Sequence, residues 1–444
     1  METSISKKAT WRHLLKFSLP TIISMLLMSV FGIVDGVFVS RFIDQTALSA
    51  VGIVVPFIMF AMAIGFMLGT GGNALVAKKL GEGLEKEARE NFSLISLAAV
   101  VLSVIMSVIG FVFPSLILSI LGADEVIQGM AVIYMQPLLL FLPTVILGMV
   151  FQQFLITEGK AYYITITTFV GGVLNAGLNY LLIHELQMGL RGAAIATSIG
   201  YTLPFIVGIA YFFFNKKGYL RFVKPKFDIR VLTKTSTNGA SEMVAMFAGS
   251  ITGALMNNVV MRIYGWEAVA AASIMFAGLS IVASAFSGYA SGIAPIISYN
   301  YGKGDTDNLK RVYKNSLRII GVLSIIGVAG GWLLTYPLLN VYDVPIGTSI
   351  HTLTVNGLRI FTLGFVFMAY NAFASMMFTA LNNGKLSALL SFFRTLVFVI
   401  ISYLVLPEIF GINGAWAAMP FAELLAIGMT IYFLKSRKKV YKYA

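Results

Sequence analysis

The chain reads as an all-α polytopic membrane protein: twelve transmembrane helices in two parallel-repeat six-helix bundles with a central cleft. Three observations lead there. Apolar runs of about 20 or more residues, each long enough to span a bilayer, recur along the whole length. Lysine and arginine mark alternate connections between those runs. The first half of the chain also recurs in the second at a nearly constant spacing.

Of 444 residues, 58% are hydrophobic and only 11% charged, whereas soluble domains carry about 25% charged residues. A membrane β-barrel would show short alternating segments instead. Cysteine is absent, which excludes disulfides, thiolate metal sites and thiol nucleophiles. His13, His184 and His351 lie far apart, without metal-ligand spacing. The first apolar run is too long for a cleavable signal peptide and is followed by further spans.

Spans are predicted near 13–40, 47–72, 91–114, 127–155, 161–184 and 190–214, then 233–264, 267–300, 314–336, 347–380, 384–406 and 411–434. Of the 32 Lys and Arg, five fall outside the expected cytoplasmic segments: Arg41, Arg191, Arg262, Arg359 and Arg394. The others sit at the N-terminus, in or beside the even-numbered loops, and in the C-terminal tail. The positive-inside rule then puts both termini in the cytoplasm. The net charge of +13 is a topology signal and a contact with anionic lipid, not a nucleic-acid footprint. The expected setting is a bacterial inner membrane.

The widest connection follows span six. It predicts an N-terminal bundle over 1–214, a cytoplasmic linker over 215–232, a C-terminal bundle over 233–434 and a basic tail over 435–444. Six spans per half mean that both halves start on the same side, so the repeat is parallel. Ala47-Leu48-Ser49-Ala50-Val51-Gly52-Ile53 matches Ala268-Val269-Ala270-Ala271-Ala272-Ser273-Ile274 at an offset of 221. Gly81-Glu82-Gly83 matches Gly302-Lys303-Gly304 at the same offset. Glu158-Gly159-Lys160 is paired with Asn383-Gly384-Lys385, and Gly192-Ala193-Ala194 with Gly414-Ala415-Trp416. Two equivalent bundles around a cleft suit alternating access.

The first span carries Asp35. A carboxylate within a membrane costs several kcal/mol unless paired, hydrated or protonated, so it reads as a proton or cation site. At about 1.5 Å per residue, Asn175 and Asn179 of span five and Thr197 of span six fall at a depth similar to that of Asp35. Asn175 and Asn179 share one helix face. Together the four offer a carboxylate with amide and hydroxyl oxygens, hard ligands for Na⁺ or partners in a protonation change. Inter-helix hydrogen bonding alone is the competing reading.

The second half lacks a copy of this group, since the repeat offset carries Asp35 onto Met256. The charged residues singled out within its spans are Glu242, Arg394, Glu423 and Arg359. Glu242 reads as a cleft carboxylate or as the partner of a basic residue. Glu423 and Arg394 lie at similar depth and read as a buried ion pair, with a cleft role as the alternative. Arg359 sits nearer the outer end and contacts the cleft or snorkels. Glu158 reads as a loop or helix-end contact. The 21 methionines suit an adaptable apolar cavity or a lipid-facing surface.

The motifs resemble the multidrug and toxic compound extrusion (MATE) family, of the bacterial DinF/MepA-like type. They are Pro20 with Asp35, Phe38-Val39-Ser40-Arg41, Leu48-Ser49-Ala50-Val51-Gly52 and Gly71-Gly72-Asn73-Ala74-Leu75-Val76-Ala77 with Gly81. Thr157-Glu158-Gly159-Lys160, Gly192-Ala193-Ala194-Ile195-Ala196-Thr197 and Ala294-Pro295-Ile296-Ile297-Ser298-Tyr299-Asn300-Tyr301-Gly302 complete the set. The resemblance implies an antiporter that exports organic, commonly cationic, compounds in exchange for H⁺ or Na⁺. It also implies an ion-coupling network at Asp35, Asn175 and Thr197, with Na⁺ as one occupant. Asn179 departs from the pattern, which more often has Asp there. Relatives with a second-half sodium site carry a glutamate where this chain has Gly249.

The expected function is therefore secondary active export of small organic compounds. The alternative is export of one metabolite, or flipping of a lipid-linked saccharide, on the same fold. No nucleophile–base pair or metal-ligand constellation marks an enzyme. No cofactor beyond the coupling ion is implied, the lipid bilayer is the expected surrounding, and nothing requires more than a monomer.

Overall fold

Within a bilayer every backbone N–H and C=O must be satisfied by protein, so long uniform apolar runs close as helices. The computed structural model describes residues 5–42, 45–215 and 217–444, with side chains described there except at 35–42, 45–48, 125 and 126. Its described residues are helical throughout, apart from short turns and one extended connection.

The first bundle comprises α1 (Trp11–Phe42), α2 (Gln45–Gly81), α3 (Glu85–Val112), a short α4 (Pro114–Ile120), α5 (Glu125–Thr157), α6 (Tyr162–Asn179) and α7 (Gly189–Phe214). A π-helical turn, Tyr180–Glu185, extends α6. The second bundle comprises α8 (Ile229–Tyr264), α9 (Trp266–Lys303) and α10 (Thr306–Val341). Then α11 (Ser349–Phe361) runs through a 3-10 turn into α12 (Phe365–Ala380). Finally α13 (Gly384–Phe392) runs through a π-helical turn, Phe393–Val397, into α14 (Phe398–Tyr441). Eleven described helical stretches are long and apolar enough to cross a membrane. The last, Gly384–Tyr441, is 58 residues long and holds two crossings. It reverses at Gly411, where φ is +57° and ψ −136°, a conformation that favours glycine. Gly414 then packs directly on the Leu406 carbonyl. Twelve crossings result.

The repeat is visible in how the bundles touch. Gly81 of α2 lies against the Tyr299 carbonyl of α9, and Gly302 of α9 lies against the Lys78 carbonyl of α2. Each residue of one contact maps onto its counterpart in the other at the offset of 221, so the crossing maps onto itself. One pairing from the sequence is corrected. Around the α5–α6 turn the amides of Glu158, Gly159 and Lys160 bond to Phe154, Ile156 and Leu155, and those of Leu381, Asn382 and Asn383 bond to Met377, Thr379 and Phe378. Gly159 and Asn382 are the left-handed residues, at φ +69° and +60°. Glu158 therefore corresponds to Leu381, not Asn383. Turn geometry fixes the register, and the shared Gly-Lys pair is offset from it.

The cleft is shut at the end that carries both termini. There Gly71 of α2 packs on the Thr235 carbonyl of α8, and Gly239 of α8 packs on the Met67 carbonyl of α2. Small residues permit this backbone approach. Asn382 Nδ2 donates across the same seam to the Ala74 carbonyl at 3.2 Å. Midway, the Ser29 and Ser280 hydroxyls meet at 3.0 Å. Further along, Val55 and Met59 of α2 and Phe247 and Ile251 of α8 are exposed.

The connection between α7 and α8 is docked on the first bundle. Leu220 is fully buried, and the Phe222 ring lies 5.1 Å from that of Phe92 and 6.0 Å from that of Phe151. The Val223 amide donates to Ser93 Oγ at 3.0 Å, and Arg89 Nε donates to the Tyr219 carbonyl at 2.7 Å. Asp228 then caps α8 by accepting from the Arg230 amide at 2.9 Å. The eighth helix thus begins at Ile229, one turn before the expected 233.

Candidate functional site

The first-bundle site is built on three helices. Small residues bring them together: Gly172 of α6 faces the Phe31 ring of α1, and a Cβ on Gly171 of α6 would lie 2.7 Å from the Gly200 carbonyl of α7. This approach sets Asn175 of α6 beside Thr197 of α7, with Asn175 Nδ2 3.4 Å from the threonine hydroxyl. One turn on, Asn179 Nδ2 donates to Asn175 Oδ1 at 3.3 Å. Asn179 is fully buried. The three polar residues read from the sequence thus form one hydrogen-bonded chain. Asp35 lies on α1 one turn beyond Phe31, which helical register alone puts near the level of Asn175. Its side chain lies outside the described residues.

The chain borders a small cavity of about 70 Å³ inside the first bundle, open to its surroundings. Asn175 and Thr197 form part of its wall, together with Met28, Phe66, Met149 and Tyr201. No Lys, Arg, Asp or Glu is among its described lining residues. Amide and hydroxyl dipoles beside thioether and aromatic surface suit contact with an apolar molecule and stabilise positive charge. The methionine cluster of Met62, Val145 and Met149 also receives Met246 from α8, so this wall reaches the other bundle.

The second bundle treats its charges differently. Glu423 of α14 is 4% exposed, and its Oε1 lies 3.7 Å from Arg394 Nε. Asn371 of α12 donates from Nδ2 to Glu423 Oε2 at 2.7 Å and to the Glu423 carbonyl at 3.0 Å. Thr430 Oγ1 in turn donates to Asn371 Oδ1 at 2.8 Å. Arg394 sits on the π-helical turn, a feature frequent at functional sites. Its Nε and Nη1 are buried and make no hydrogen bond among the described residues. Glu242 of α8 is half-buried and forms no ion pair among the described residues, and Arg394 is a charge that acts on it. Arg359 is exposed and stands apart from this cluster.

One feature escapes sequence reasoning, and a second gives partners to the loop contact expected of Glu158. Ser391, Ser375, Ser387, Thr379 and Ser241 form a buried hydroxyl ladder, with oxygen–oxygen distances of 2.9, 3.0, 2.7 and 3.2 Å in that order. It links α13 and α12 to α8 beside Glu242. Its only signal in the sequence is the four-residue spacing of 375/379 and 387/391. The second is the grip of Glu158 on the connection between bundles. Its Oε1 accepts from the Leu220 amide at 2.6 Å and its Oε2 from the Tyr211 hydroxyl at 3.0 Å. Burial pushes this carboxyl above the usual range, against the pull of those donors.

Two repeated bundles flanking a cleft, with polar groups gathered in a cavity of one of them, define the transporter class of polytopic helical proteins. The MatE family model matches twice, over residues 20–181 and 243–404, and the chain belongs to that family. The two matches are offset by 223 at both ends, the spacing of the α5–α6 and α12–α13 turns. Multidrug export protein MepA of Staphylococcus aureus (strain MRSA252) is 23% identical over 98% of this chain and 96% of its own. MepA of Staphylococcus saprophyticus subsp. saprophyticus is 24% identical over the same shares. The crystal structure of MATE in complex with MaL6 superposes with a TM-score of 0.91 at 20% identity, covering 98% of both chains. The outward-facing conformation of a multidrug resistance MATE family transporter of the MOP superfamily gives 0.89 at 20% identity, over 97% of this chain and 96% of that one. The likeness to these structures is one of fold.

Proposed function

We propose that this protein is a multidrug-type secondary antiporter that exports organic cations in exchange for H⁺ or Na⁺. The observation that carries the reading is the first-bundle cavity. Its wall combines Asn175 and Thr197 with methionine and aromatic surface and offers no fixed cation among its described residues. That lining suits cationic and neutral organic cargo and disfavours the anionic cargo of a lipid-linked saccharide flippase. The names of the MepA relatives point the same way.

In this reading the end bearing the termini is cytoplasmic, as the basic loops suggest. Residues 1–214 and 233–434 act as two moving units. The α2–α8 seam acts as the inner gate of the cleft. Proton or Na⁺ binding at Asp35, supported by Asn175, Asn179 and Thr197, alters the first bundle and releases cargo outward.

The test is ethidium efflux from proteoliposomes, driven by a pH gradient alone and then by a Na⁺ gradient alone, for wild type and Asp35→Asn. Efflux under one gradient, lost in the variant, is the expected result and names the ion. Unchanged efflux in Asp35→Asn overturns the coupling role of Asp35. Failure of both gradients to drive any organic cation favours a single dedicated cargo.

A further inference from the structure

Two hollows at the end bearing the termini lie outside the site described above. One is formed by the start of α8 and the α12–α13 turn, with a volume of about 270 Å³ lined by Arg230, Lys234 and Lys385 among others. The other is formed by the start of α1 and the α5–α6 turn, with a volume of about 280 Å³ lined by Lys7, His13 and Lys16 among others.

The repeat carries one hollow onto the other. His13 and Lys16 map onto Lys234 and Thr237 at the offset of 221. Gly159, Ala161 and Tyr162 map onto Asn382, Gly384 and Lys385 at the offset of 223 seen for the turns. The same concavity is therefore built twice, and each copy draws cations from different positions.

Neither hollow has a carboxylate among its described lining residues. Lys7, Lys16, Arg230, Lys234 and Lys385 form no ion pair among the described residues. Lys234 is not free to swing away, because its Nζ donates to the Asn382 carbonyl at 2.7 Å. Lys78 of the first bundle and Lys385 both lie close enough to repel it. Like charges held together without a counter-charge are stabilised by a bound anion.

The surroundings identify the source of that anion. Trp11, with the Arg12 guanidinium 5.2 Å from its ring centroid, is exposed beside the first hollow, and exposed Tyr162 lines it. Phe227 and Ile229 are exposed beside Arg230 at the second. Exposed tryptophan, tyrosine and apolar residues among basic ones mark the headgroup level of a membrane. We propose that each hollow binds the phosphate of an anionic phospholipid headgroup, one lipid per bundle. The shared chemistry is a phosphate monoanion, which free phosphate would also supply.

The experiment is native mass spectrometry of the full chain from mixed micelles containing phosphatidylglycerol or phosphatidylcholine. Three paired variants are compared: Lys234→Gln/Lys385→Gln, Lys7→Gln/Lys16→Gln and, as a charge-matched control, Lys310→Gln/Lys314→Gln on the exposed start of α10. Wild type and control are expected to retain two phosphatidylglycerol molecules in preference to phosphatidylcholine. Each hollow variant is expected to lose one, with binding there weakened about 30-fold for two lysines removed. The charge-conserving Lys234→Arg/Lys385→Arg keeps both and separates loss of a site from loss of folding. Equal retention by the hollow variants, or equal loss by the control, overturns the proposal. A third arm adds inorganic phosphate in excess. Displacement of the lipid overturns the lipid assignment in favour of a soluble phosphate ligand, and persistence of both adducts supports it.

Discussion

The two bundles share a backbone plan and differ in how they handle polarity. The first places the Asn175 amide and the Thr197 hydroxyl on the wall of a cavity with the buried Asn179 amide behind them, linked by hydrogen bonds of 3.3 and 3.4 Å. The second draws Glu423, Asn371 and Thr430 together with bonds of 2.7 to 3.0 Å and adds an arginine at 3.7 Å. Long bonds beside empty space leave room for an ion or a cargo to be exchanged. Short bonds around a sealed charge fix helices to one another. Duplication supplied two copies of one frame, and among the described residues the first carries a loosely held polar group next to a cavity. Under the proposed function, the first half binds while the second provides a rigid counterpart.

The largest expected effect is on the second bundle. Arg394→Leu leaves Glu423 buried beside Asn371 without its cation, a change that costs about 3–5 kcal/mol when a buried pair is broken. A large drop in melting temperature in detergent is the expected readout. Arg394→Met combined with Glu423→Met should recover most of it, because the pair is then replaced by apolar surface of similar volume. If Arg394→Leu melts like wild type, the contrast between a structural second bundle and an exchanging first bundle fails.

Next comes the seam between the bundles. Gly239→Val sets side-chain atoms against the Met67 carbonyl, so the seam must part. Spin labels on the described ends of α2 and α8 should report longer distances at the end bearing the termini. Unchanged distances would mean that this seam is not the gate. Smaller again is the effect of Asn179→Asp, which adds a second carboxylate to the first bundle. It should tighten Na⁺ protection against thermal unfolding in the variant relative to wild type, since a further charged oxygen ligand favours a hard cation.

The smallest effect concerns Glu158. Its carboxyl is raised above the usual range by burial. The docked connection therefore binds more protons than the undocked one. Its docking is strongest below the ordinary carboxylate pKa and weakens as pH rises through the raised value. Hydrogen exchange at the Leu220 amide should quicken over that rise in wild type. In Glu158→Gln, which keeps an acceptor and has no charge to bury, the rise should disappear once the intrinsic pH dependence of exchange is removed. Glu158→Ala should expose Leu220 at all pH values.

Much of this architecture was legible because membranes make few demands and make them strictly. Twelve crossings and the offset of 221 follow from hydropathy and from small-residue patterns, and the Gly81–Tyr299 and Gly302–Lys78 contacts reproduce that offset in space. Asn175, Asn179 and Thr197 stood out because amides and hydroxyls amid apolar residues need partners. The hydroxyl ladder did not stand out, since serine and threonine are common in apolar helices and satisfy themselves on their own backbone. The docking of Leu220 and Phe222 was hidden because their neighbours Lys216, Lys217, Arg221, Lys224 and Pro225 read as a solvated linker. The turn register was misjudged because Asn382 takes the left-handed position that Gly159 takes in the first bundle.

One paired measurement bears most directly on the division of labour between the bundles. Asn175→Leu breaks the first-bundle chain, and Asn371→Leu breaks the second-bundle network. Gradient-driven ethidium efflux per reconstituted molecule would be read alongside melting temperature for each. The prediction is that Asn175→Leu lowers gradient-dependent efflux at least about ten-fold, the worth of one lost hydrogen bond of roughly 1.4 kcal/mol at the coupling site, with little change in melting. Asn371→Leu should lower the melting temperature and leave efflux per folded molecule near wild type. The reverse pattern, with coupling lost from Asn371→Leu and kept in Asn175→Leu, would place ion exchange in the second bundle and contradict a coupling site in the first.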